Sequence, residues 1–138
     1  MKIIALGALL SLAAAAAPDG KELCGRLSAA QLGTILGSPR TAEPTETQCK
    51  YTREGRPEIR FFLSRAPSRE AFVKTIAGLG GKTQDGPGGA VFSLLGFDAK
   101  KGKISGLWTL SRKTPVELDF DAGLEPAQAK GIAEALTK

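Results

Sequence analysis

The chain has 138 residues, 24% of them charged and 42% hydrophobic, with a formal net charge of +5, two Cys, no His and no Asn. That size and balance suit one hydrophobic core and exclude a transmembrane bundle, a coiled coil and an acidic disordered tail. Without His, histidine triads, Cys–His dyads and His-containing zinc sites are excluded as well.

Met1 and Lys2 give a positive start, and residues 3–17 are an unbroken run of apolar or small side chains. The run is shorter than the roughly 20 residues a bilayer span needs, and it suits an export signal followed by a small-residue cleavage site. Ala14 and Ala16 fill the small positions, and cleavage after Ala17 would put Pro18 first, so cleavage is expected after Ala16. Residues 1–16 are read as a signal peptide and 17–138 as a single α+β domain, with an uncleaved anchoring helix as the alternative. Lys21-Glu22-Leu23-Cys24 places a charge pair where a lipoprotein signal needs small or apolar residues. No lipidation, and no stable membrane anchor after cleavage, is therefore expected.

Cys24 and Cys49 are the only cysteines. In an exported chain an even pair is read as a disulfide, and their spacing rules out a C-x-x-C redox motif. A reactive or intermolecular pair is the alternative.

Leu27-Ser28-Ala29-Ala30-Gln31-Leu32 is a Ser-x-x-Gln capping box with leucines at the staple positions. Leu32, Ile35 and Leu36 make one apolar face, and Gly37-Ser38-Pro39 ends the helix. Residues 38–46 carry two prolines and read as an irregular loop. Gln48 to Arg53 and Glu58 to Arg65 alternate in polarity around a Glu54–Pro57 turn, which predicts a hairpin. A second helix follows Ala66-Pro67-Ser68, with Phe72, Val73, Ile76 and Leu79 facing the core. Gln84 to Gly89 is a loop of breakers, and Ala90 to Phe97 is a third strand.

Lys100-Lys101-Gly102-Lys103 reads as a hairpin tip leading into Ile104–Arg112, where Ile104, Gly106, Trp108 and Leu110 share a face. Val116, Leu118 and Phe120 then point inward, while Glu117, Asp119 and Asp121 point to water. Pro126 opens the last helix, with Ala129, Ile132, Ala133 and Leu136 at helical spacing. The predicted order is α-β-β-α-β-β-β-α, an antiparallel five-stranded sheet with three helices packed on one face.

Catalytic signatures are missing. The chain has neither a Ser-x-x-Lys motif nor a G-x-S-x-G elbow, and Gly86-Pro87-Gly88-Gly89 lacks the lysine and spacing of a phosphate loop. Glu117, Asp119 and Asp121 are spaced about 7 Å apart along one strand face, which suits a carboxylate pair or a weak Ca²⁺ site, yet an outer sheet face is polar anyway. Neither cofactor nor metal is expected. Lys100, Lys101 and Lys103, with Arg112 and Lys113, are candidate contacts for another envelope or secreted protein. Phe62, Phe92 and Leu107 fall opposite their strands' apolar sets, and are either covered core or contacts for a small apolar ligand. The modest charge does not make the basic stripe that nucleic-acid binding requires.

Cys24-x-x-Leu27-Ser28-x-x-Gln31-Leu32, Leu36-Gly37-x-Pro39 and Cys49-x-Tyr51 together resemble small secreted bacterial domains of unknown function. The resemblance covers about 30 residues and its motifs are structural. It implies export and a Cys24–Cys49 bridge, and no activity. The expected protein is a monomeric, non-catalytic binding or interaction module of the bacterial envelope, periplasmic or secreted. A carrier of a small apolar ligand is the alternative.

Overall fold

The structure, a computed structural model, describes residues 18–138. The expected signal peptide lies outside the described residues. Seven strands form one antiparallel sheet, in the order β1-β2-β3-β7-β6-β5-β4. They are β1 (Thr41–Pro44), β2 (Gln48–Thr52), β3 (Ile59–Leu63), β4 (Lys82–Asp85), β5 (Val91–Leu94), β6 (Ile104–Ser111) and β7 (Thr114–Leu124). Among the described residues five α-helices accompany them: α1 (Gly20–Arg26), α2 (Ala29–Leu36), α3 (Arg69–Gly78), α4 (Gly96–Lys100) and α5 (Pro126–Leu136). A 3₁₀ turn spans Pro87–Gly89.

The α+β class holds, but the expected five-stranded, three-helix arrangement does not. Both additional strands are sheet edges. β1 lies in the stretch expected to be a loop, and β4 overlaps the start of the breaker-rich segment. An edge strand hydrogen-bonds on one side only and stays short and polar, so it carries no apolar alternation; Pro44 is tolerated there for the same reason. The short helices α1 and α4 were also missed. α1 is capped by the Asp19 carboxylate, which accepts from the Glu22 amide at 2.9 Å. The expected strand through Phe97 stops at Leu94, and Lys100 ends α4 instead of forming a hairpin tip.

Where local signals were strong they are realised. Ser28 and Gln31 form the reciprocal capping box, at 3.1 and 2.8 Å, and Gly37 closes α2 with φ +75°. Ala129, Ile132, Ala133 and Leu136 of α5 are buried. Cys24 on α1 and Cys49 on β2 form a disulfide with Cα atoms 5.1 Å apart. The bond pins α1 beside the sheet, where the Tyr51 hydroxyl also donates to the Leu27 carbonyl at 2.5 Å.

Helices cover both sheet faces, not one. The larger core lies on the first face, under α1, α2 and α5, and includes Leu23, Leu32, Tyr51, Phe61, Leu107, Leu118 and Ile132. The smaller one joins Phe72 and Ile76 of α3 to Val91 and Trp108. Topology explains the split. β3 and β4 run parallel with β7, β6 and β5 between them, so their connection must cross those three strands, and it does so on the second face. A register shift between Ile104 and Gly106 also breaks the face expected for β6. Ile104 joins the larger core, whereas Trp108 joins the smaller.

Candidate functional site

The second face is organised in cross-strand rows. One runs Lys50, Arg60, Asp119, Gly106, Ser93, Thr83, and the next runs Gln48, Phe62, Glu117, Trp108, Val91, Asp85. Helix α3 covers only part of these rows. Between it and the sheet lies a groove of about 700 Å³, with Phe72, Thr75, Ile76 and Leu79 on its helix side. Phe62, Glu117, Asp119, Gly106, Ser93 and Leu95 lie on its sheet side.

The mouth is held by the chain entering α3. The Trp108 indole N–H donates to the Ala66 carbonyl at 3.0 Å, tying that segment to the sheet. The Ser64 hydroxyl donates to Glu117 Oε2 at 2.5 Å and accepts from the Ala66 amide at 2.9 Å. Ser68 then caps α3 through the Ala71 amide. Leu79, expected in the core stripe, is instead 67% exposed and borders the groove.

Glu117 and Asp119 were expected to point to water, but both are half-buried in this groove. Glu117 stands in register between Phe62 and Trp108. Desolvation by these surroundings raises its pKa; the Ser64 hydrogen bond opposes the rise and the Asp119 charge adds to it. The Asp119 pKa is also raised by desolvation, with Arg60 opposing and Asp121 adding. Arg60 directs its hydrogen bonds elsewhere, to Asp121 at 2.8 Å and Glu58 at 3.3 Å. Asp121 is exposed and lies outside the groove lining. The spacing of Glu117 and Asp119 along β7, about 7 Å, suits proton exchange with a bound molecule or charge pairing with it.

Of the apolar candidates, Phe62 faces the groove. Phe92 is buried in the first-face core, as is the Leu107 side chain, although Leu107 also borders the groove floor. The three therefore do not form one patch. Nor do the basic residues. Lys100 and Lys101 are exposed at the end of α4, with the Lys100 ammonium 5.6 Å from the centre of the exposed Phe97 ring, and Lys103 precedes β6. Arg112 and Lys113 form the turn at the far end of β6, roughly 25 Å away by strand rise.

Reading the sequence alone missed Ser64, Ser93 and the α3 contribution. Gly106 did carry a signal, since a glycine inside a strand marks a bulge or a close approach. Among the described residues no cluster of three metal-ligating side chains occurs, and no described helix is long and apolar enough to cross a membrane. No protein-family model, curated protein or solved structure matches this chain.

Proposed function

We propose that this disulfide-stabilised protein is an exported, non-catalytic binding module that holds a small, largely apolar ligand in the groove between α3 and the sheet. The observation carrying the reading is the groove itself. Its volume of about 700 Å³ lies in the range of small-molecule sites, and its walls combine Phe62, Phe72, Ile76 and Leu95 with a few convergent polar groups. Export is supported by the residue pattern of 1–16 and by the disulfide, which suits an oxidising compartment. The dispersed basic residues give a protein partner no single docking patch.

Titration with N-phenyl-1-naphthylamine, a neutral dye that brightens in apolar surroundings, tests the reading. Saturable uptake is expected, with loss of uptake in Thr75→Trp, which fills the groove from the exposed side of α3 without disturbing a buried residue. Absence of saturable uptake by the unaltered protein, or equal uptake by the variant, overturns it.

A further inference from the structure

We infer that the groove selects a primary amine carried on a hydrocarbon body, its ammonium seated above Gly106 between Ser93 and Asp119. The inference rests on the groove being a ligand site and names the chemistry it takes.

Ser93 is the first observation. It is only 3% exposed and borders the groove. Its hydroxyl leans toward the side-chain position of Gly106, where it can accept a hydrogen bond from a ligand. Gly106 is the second. It opens the row between Ser93 and Asp119, both of which pair with it in register. The point that a Cβ at Gly106 would take lies 2.9 Å from Ser93 Oγ, 2.9 Å from the Leu118 carbonyl oxygen and 3.6 Å from Asp119 Oδ1. Ser93 Oγ and Asp119 Oδ1 therefore lean from either side over the space that Gly106 leaves without a side chain, and a primary ammonium above that space can donate to both. A trimethylammonium has no N–H to offer them.

Charge points the same way. Although the whole chain carries +5, the charged groove residues are Glu117, Asp119 and, at the mouth, Arg65. Arg60, beside Asp119 in the row, is already engaged by Glu58 and Asp121. Ser64 holds Glu117, which leaves Asp119 as the carboxylate without a hydrogen-bond donor among the described residues. Phe62, Phe72, Ile76 and Leu95 then receive the hydrocarbon body. A carboxylate or phosphate head would meet two like charges in a half-desolvated place.

Calorimetric titration of the oxidised protein at pH 7.5 with n-octylamine, n-octanol and octyltrimethylammonium separates the possibilities. Octylamine is expected to bind at least about tenfold more tightly than either of the others, as a charge-assisted hydrogen bond implies. Asp119→Asn should remove about that tenfold while leaving octanol binding unchanged, which also shows that the variant's groove is intact. Ser93→Ala should weaken the amine by a smaller factor. Equal binding of octylamine and octanol, or an Asp119→Asn variant that keeps its amine affinity, overturns the amine inference while the groove reading stands. Failure of all three probes to bind overturns both.

Discussion

Reducing the Cys24–Cys49 bond should cost about 3.5 kcal/mol of stability, the loop-closure entropy for a cross-link across a separation of 25 residues. The value applies in full only if the native state survives reduction, and the packing indicates that it does. Leu23 and Leu27 on either side of Cys24 are fully buried, the Asp19 cap holds the start of α1, and the Tyr51 hydroxyl grips the Leu27 carbonyl. Reduction therefore frees the unfolded chain more than it loosens the folded one. Unfolding entropy scales to about 0.25 kcal/mol/K for a domain of about 120 residues, so Tm should fall by about 14 °C. Trp108, the one tryptophan and 3% exposed, reports unfolding through its fluorescence. Urea titrations with and without dithiothreitol give the free-energy difference, and amide exchange follows α1 in the reduced native protein. A loss under about 1 kcal/mol, or selective melting of α1 on reduction, would refute the reasoning.

Arg112 and Lys113 turn the β6–β7 hairpin with φ of 51° and 68°, left-handed values that cost an L-residue about 1 kcal/mol. Lys113→Gly should raise the urea midpoint by an equivalent amount without changing the slope, and a lower midpoint would count against strain at this turn. The folded state raises the Asp119 pKa, so it binds that proton more tightly than the unfolded chain does, and the ionised carboxylate destabilises the protein at neutral pH. Asp119→Asn should accordingly melt higher than the unaltered protein at pH 7.5. Its advantage should shrink as pH falls through the raised pKa and vanish below the ordinary carboxylate range. Identical melting at pH 7.5 would mean that Asp119 is not desolvated.

Local chemistry was legible wherever a few neighbouring residues decide the outcome. The Ser28–Gln31 box, the Gly37 cap, the α5 stripe and the inward set Val116, Leu118 and Phe120 all depend on spacings within one element, and each is present in the fold. Sequence alternation likewise put Glu117 and Asp119 on the side opposite that set. What it could not supply was the neighbour on that side. The edge strands β1 and β4 become strands only because β2 and β5 offer them free hydrogen-bonding groups, a demand that leaves no apolar pattern in four polar-rich residues. Because β4 joins the far edge, the chain after β3 must cross β7, β6 and β5, and α3 is thereby laid over the second face. That crossing turns a face expected to meet solvent into the wall of a groove and desolvates two carboxylates. Periodicity along the chain decides which way a side chain points. Strand pairing between residues far apart in the chain decides what it meets there.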